Sequence, residues 1–393
     1  MKLKSSPKFN TIRFGVAYAL GLFVAGVDLS ISVRAGENLT GSSIGGTAAY
    51  VLIALGTIVA ARVGAPWLQR IGPRKTYLGA GTVCILSGLA TTYAAYTHSP
   101  PLFYAGMLLV GIFMGLSNFH RLLVKDYSDT PNVWDTSLVL LSGIAGSILG
   151  PWAAGILAGS VSEFYKAYQL VIMAGILTLF TSFMLPEHSR ARERVEREIS
   201  DFDDRSTLYL GGVIGMLGYV VMTLIMTAIP LEAQQQGLSG REISHLTEVH
   251  MVAMYLPIVI VPLFLARYTP RRIATWALGL GGFGTFGVLV SNYHVGKTGL
   301  TILMIVAGVI WAFSYTAASN MVASSLFGKT HPSARGYVEM LPPIGMVIGS
   351  LLAGLLLEYA GFIWVVSAFI FISIIAVPTL ILMGRAGHIN NDN

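Results

Sequence analysis

Charge and cysteine are both scarce in this chain. Asp, Glu, Lys and Arg make up 11% of its 393 residues, where a soluble domain carries about 25%. Hydrophobic residues reach 54%, and the mean hydropathy is +0.68. That composition excludes an ordinary soluble globular domain and points to a membrane protein. The single cysteine, Cys84, cannot close an internal disulfide and supplies no cysteine-based metal cluster. A phosphate-cradling loop, a catalytic triad and paired catalytic carboxylates are also missing. Gly279, Gly281 and Gly282 sit in an apolar run and read as packing positions. No enzyme, cofactor or metal site is expected. Long polar stretches are nearly absent too, the exception being residues 187–205. Seven acidic residues there outnumber five arginines, which argues against a nucleic-acid partner despite the net charge of +6. The mixed run Arg190-Ala-Arg192-Glu-Arg194-Val-Glu-Arg197-Glu suits a short solvated helix with i,i+4 pairs.

Apolar runs fill the rest. A span needs about 20 mostly apolar residues, and twelve such runs are read at 12–33, 43–63, 77–96, 102–124, 137–159, 166–185, 206–229, 243–266, 273–291, 298–321, 337–358 and 362–384. Lys2, Lys4 and Lys8 before the first run imitate a signal peptide, but the length of that run and the many that follow make it a first span. An even number of spans leaves both termini on one side. With the termini inside, 21 of the 25 Lys and Arg residues fall on inner segments, leaving Arg34, Lys166, Arg241 and Lys297 outside. This asymmetry places both termini in the cytoplasm.

The chain repeats itself. Arg70-Ile-Gly-Pro-Arg74-Lys75 recurs as Arg267-Tyr-Thr-Pro-Arg271-Arg272, 197 residues later, each after the second span of its half. A weaker echo at an offset of 200 pairs Leu141, Ile144, Ile148 and Ala153 with Leu341, Ile344, Ile348 and Ala353. The division expected is a six-helix bundle over 1–186, a cytoplasmic linker over 187–205 and a second six-helix bundle over 206–393.

The fifth run contains Gly146-Ser-Ile-Leu-Gly150-Pro151-Trp-Ala-Ala-Gly155 without a charged residue. In a soluble helix Pro151 would cost roughly 3 kcal/mol. In a bilayer, small residues let a neighbouring helix approach, and freed carbonyls find partners on adjacent helices. Gly146, Gly150 and Ala154 share a face, which reads equally as a packing seam or as a functional element. The string resembles the fifth-helix signature G-x-x-x-G-P-x-x-G-G of drug:proton antiporters in the major facilitator superfamily, with Ala154 in place of one glycine. The resemblance implies an exporter on the superfamily's twelve-helix, two-repeat, all-α fold, with this string where the two halves meet. The loop after the second span resembles the superfamily pattern G-x-L-x-D-R-x-G-R-K through Arg70, Gly72 and Arg74. It departs at Ala65, Trp67, Gln69 and Pro73, and Gln69 stands where the family's gate-locking aspartate belongs. For Arg70, Arg74, Arg267 and Arg271, gating and simple anchoring on the inner face are both open.

Asp28 lies about five residues past the middle of the first span. A carboxylate there should face water or a partner or take up a proton, unless the helix ends earlier than read. In the eighth span His245 and Glu248 share a face and His250 points the other way. A proton relay, a substrate contact and plain interfacial polarity are the readings; no third ligand is at hand for a metal. Asn118, His120 and Arg121 close the fourth span, and Met107 occupies the place where the resembling exporters carry a proton-coupling arginine. Trp311, Ser314, Tyr315, Ser319 and Asn320 form a polar and aromatic set in the tenth span, either a substrate-facing wall or ordinary interhelical contacts.

The expectation is a proton-coupled exporter of a small organic solute, a monomer in the plasma or inner membrane, with protons, the solute and lipid as its partners. A proton-coupled importer on the same fold is the alternative, and a non-transporting receptor or assembly factor the third.

Overall fold

A computed structural model describes residues 7–120, 123–124, 133–158, 164–187, 205–291, 295–325 and 332–389. The described residues are helical almost throughout, with no strand. The first half holds α1 (Pro7–Thr40), α2 (Ser43–Thr97), α3 (Pro100–Ser117), α4 (Val133–Leu157) and α5 (Phe164–Ser182). The second half holds α6 (Arg205–Gln235), α7 (Gly240–Tyr255), the short α8 (Val261–Leu265), α9 (Pro270–Ser291), α10 (Lys297–Ser325), α11 (Pro332–Tyr359) and α12 (Phe362–Ile389). Nine described stretches are long and apolar enough to cross a membrane on their own, and Leu141–Leu157 is a shorter apolar helix. The broken eighth span and α9 complete twelve. Helices suit this setting because each satisfies its own backbone polar groups where no water is available.

Two breaks explain why helices and spans, twelve of each, do not correspond one to one. The second and third spans run on as one helix, α2, bent at Gly72, whose φ of 80° and ψ of 166° only glycine adopts readily. The gap expected between residues 63 and 77 is therefore helical apart from this bend. In the eighth span α7 ends at Tyr255, Pro257 opens a 3₁₀ turn over Leu256–Val259, and α8 resumes. Pro257 thus breaks the eighth span. The linker proper, 188–204, lies outside the described residues, as does Arg121.

The glycines of α4 approach a different partner from the one expected. A Cβ on Gly146 would strike the Ala19 carbonyl, and one on Gly150 the Phe23 carbonyl, while Pro151 packs on Gly26. All three partners belong to α1, in the same half. Gly146, Gly150 and Pro151 thus make their tightest contacts within the first half. A small-residue stripe dictates close approach but not which helix approaches. Gly155, at the far end of α4, reaches the other half, where it meets Ser244 of α7.

The second half copies this arrangement. Gly345 and Gly349 of α11 bring it against Met216 and Val220 of α6. Ala19 and Phe23 precede Met216 and Val220 by 197 residues, the spacing of the Arg-Pro-Arg echo. The counterpart of the Gly155–Ser244 contact is Gly354 against Thr47 of α2. Thr47 and Ser244 are again 197 apart. Two related glycine contacts therefore join the halves, both on the side away from the termini. Large apolar side chains such as Leu86, Phe180, Leu280, Phe283 and Phe371 point outward. So much exposed apolar surface fits a lipid-facing perimeter.

Candidate functional site

The side away from the termini is sealed by more than glycines. Arg34 of α1 is buried, donates from Nε to Gln234 Oε1 of α6 at 3.1 Å and lies 5.1 Å from the Phe164 ring. Gln234 donates in turn to Glu37 at 3.1 Å, and Ser43 Oγ reaches Glu37 at 3.3 Å. The backbone N–H of Ser43 donates to Glu358 of α11 at 2.7 Å. Glu37 and Gln234 are equivalent positions of the repeat, 197 apart, and so bond each other across the axis relating the halves. Arg34, counted as an outside charge, is thus a cross-half contact; its neutral partner lies on another helix, 200 residues on, with no local mark of the pair.

On the terminal side of this seal lies a cavity of about 110 Å³ between the halves. Leu22, Ala25 and Leu29 of α1, Tyr50, Thr57 and Ala61 of α2, and Asn118 and Phe119 after α3 supply one wall. Tyr219, Met222 and Met226 of α6, Met251, Met254 and Tyr255 of α7, Tyr315 of α10 and Met346 of α11 supply the other. Trp311 stands behind Tyr315, the rings stacked at 4.8 Å and 17°. Tyr219 meets both edge-on, and Tyr255 does the same to Trp311. A hydrogen bond between Tyr18 and Tyr255 links the halves here.

Of the residues singled out from sequence, Asn118 and Tyr315 line the cavity and Trp311 supports it. Asp28 does not line it. It is fully buried one position from the wall residue Leu29, and its Oδ1 accepts from Ser32 Oγ at 3.0 Å. Tyr168 of α5 donates to Ser32 at 3.1 Å. Oδ2 has no partner among the described residues. His245 is exposed and bonds Glu248 at 2.9 Å, beyond the cavity. His250 is buried, with Nδ1 2.8 Å from the Met304 carbonyl. That contact makes Nδ1 the donor, and Nε2 has no partner among the described residues. His120 is buried, stacked on Tyr77 at 3.8 Å and away from the cavity. Asn320 is exposed. No group of three His, Cys, Asp or Glu among the described residues could hold a metal.

The basic loops lie at the terminal side. Gly72 forms the bend, Arg70 is exposed, and Arg74 caps the end of α5 by donating from Nε to the Leu185 carbonyl at 3.2 Å. Arg74 also pairs with Glu187 at 3.5 Å. Arg267 is exposed and Arg271 half-buried. Sequence reasoning missed Tyr50, Tyr219, Tyr255 and the methionine wall, since Tyr and Met in apolar spans carry no mark of which face they occupy.

Residues 208–388 match the family described as Major Facilitator Superfamily. Over the whole chain, the fold matches a crystal structure of a variant nucleoside transporter NupG with a TM-score of 0.73 at 15% identity, covering 95% of this chain and 99% of that one. The xylose transporter XylE from E. coli matches with a TM-score of 0.71 at 13% identity, covering 93% and 97%. The family match thus covers the second half of the chain, and the solved structures share the fold of the whole. Among sequence relatives, the uncharacterized MFS-type transporter YddS of Bacillus subtilis (strain 168) is 23% identical over 384 residues, 91% of this chain and 86% of that protein. The riboflavin transporter RfnT of Brucella anthropi is 21% identical over 391 residues, 96% of each. The described helices are those of an integral, multi-pass membrane protein.

Proposed function

We propose that the chain is a proton-coupled exporter of a small organic solute, acting as a monomer by alternating access in the plasma or inner membrane. The observation that carries this reading is the cavity bounded by both halves and closed on the side away from the termini by the Arg34–Gln234 and Ser43–Glu358 bonds. The distribution of basic residues puts the terminal side in the cytoplasm. The cavity then lies on the side from which an exporter loads. The string through Gly146, Gly150, Pro151 and Gly155, similar to the antiporter signature, supports export. The halves 1–186 and 206–393 rock about the cavity, joined by 187–205, and Arg70, Arg74, Arg267 and Arg271 take part in closing the terminal side.

Asp28 carries the proton, with Glu248 as a second, more exposed group. A carboxylate in dry surroundings with one hydrogen bond is costly when ionised, so its charge state is tied to whatever moves α1. Exchange requires that substrate favour the deprotonated form, because a ligand binding both forms equally shifts nothing. Everted vesicles test the direction. Accumulation of the solute when the lumen is acidified supports export. Accumulation only under the opposite gradient means import, and no substrate-dependent proton movement means that the chain is not proton-coupled.

A further inference from the structure

None of the described residues lining the cavity is Asp, Glu, Lys, Arg or His. An ion entering would give up its hydration without gaining a partner, which is costly. Asp28 cannot serve directly, being covered and hydrogen-bonded to Ser32. His250 points its Nδ1 at the Met304 carbonyl. A polyol fits no better, because the hydrogen-bonding groups are few. The Thr57 hydroxyl is already committed to the Ile53 and Gly111 carbonyls.

The wall does offer π-faces and thioethers. Trp311 and Tyr315 stack, Tyr219 stands edge-on to both, and each ring fixes its neighbour before any ligand arrives. Preorganised rings bind another flat ring with little further ordering. Six methionines, at 114, 222, 226, 251, 254 and 346, surround them. Their flexible, polarizable side chains mould to an aromatic outline. At the opposite wall the Tyr50 hydroxyl is buried, with no partner among the described residues, and Asn118 brings an amide.

Taking the cavity as the transport site, as argued above, we propose that its ligand class is an uncharged, flat heteroaromatic ring system. The ring lies against the Tyr219–Trp311–Tyr315 cluster and the methionines, and its polar edge is hydrogen-bonded by Tyr50 and Asn118.

Three probes sharing one tricyclic skeleton test this on the purified full chain in detergent: neutral acridone, cationic 9-aminoacridine and anionic acridine-9-carboxylate, with xylose as the non-aromatic control. Binding is read by fluorescence anisotropy and, for xylose, by calorimetry. Acridone should bind at least about tenfold tighter than either ion, since each ion leaves a desolvated charge unpaired. Tyr315→Leu should weaken acridone about tenfold, the scale of one aromatic stack, while Tyr315→Phe keeps the ring and the affinity. Tyr50→Phe should weaken it about threefold or more, as for one lost hydrogen bond. Tighter binding of either ion, binding of xylose but not acridone, or unchanged affinity in Tyr315→Leu overturns the assignment. The charge series on the unmodified chain stands even where a variant does not fold. Because no gradient is present, failed proton coupling would leave this result intact. Export of a non-aromatic solute without acridone binding would sink the ligand class alone.

Discussion

Asp28 ends a short relay in which Tyr168 donates to Ser32 and Ser32 donates to the carboxylate. Each group is buried, so the relay holds one ionisable group away from water. Asp28→Asn keeps the shape and removes the titration. It should reach the membrane, still bind solute, and lose accumulation against a gradient at every pH. Measuring accumulation at several pH values checks this, and a wild-type profile in Asp28→Asn removes Asp28 from the coupling scheme. Glu248→Gln should be milder, because Glu248 is bonded to the exposed His245 nearer the surface. Asp28 stood out in the sequence as a charge in an apolar span. Its partner Tyr168 lies on another helix 136 residues on, and nothing local announced it.

Helices meet through glycines in two distinct ways, and the two classes should fail differently. Gly150→Leu drives a side chain into the α1 backbone within one half, where packing cannot yield. It should cost several kcal/mol, as core overpacking does, and reduce folded protein recovered from the membrane. Gly155→Leu strikes Ser244 across the boundary, where the halves can separate. That variant should fold but resist closing on the side away from the termini. The Arg34–Gln234–Glu37 bonds act in the same place. Gln234→Ala removes hydrogen bonds to two charged groups, worth roughly 1.5–3 kcal/mol each, about tenfold or more in the ratio of closed to open. A cysteine at Thr47, with Cys84→Ala, reports the state. Gly155→Leu and Gln234→Ala should each speed its labelling by an impermeant thiol reagent from outside. Equal rates in parent and variants would show that these contacts do not hold the seal.

At the scale of the molecule, the repeat makes the two halves near-copies that pack internally through α4 on α1 and α11 on α6. They touch each other through α4 on α7 and α2 on α11. Halves so built should tolerate a cut chain. A protease site placed within 188–204 and cleaved in the membrane should leave the halves together and transport intact, as read by co-purification and uptake. Loss of both after cleavage would mean that the linker carries structure the bundles lack. Topology is testable separately. A reporter fused after Asn393 and active only outside the membrane should stay silent, given where the basic residues fall.

Composition, hydropathy and the 197-residue echo were enough to determine a twelve-span, two-bundle membrane protein. Each is a one-dimensional property, and the bilayer converts it directly into architecture. The Gly-Pro string likewise revealed a close helix contact, but its partner proved to be α1 of the same half, because a smooth face accepts any helix that arrives. Only the tertiary structure decided that Asp28 lies behind the cavity wall rather than in it, that Glu37 and Gln234 meet across the axis, and that tyrosines and methionines from six helices form one uncharged chamber. Those are relations between residues far apart in the chain. They depend on the rotation of each helix about its own axis, which in an apolar span no polar face reveals.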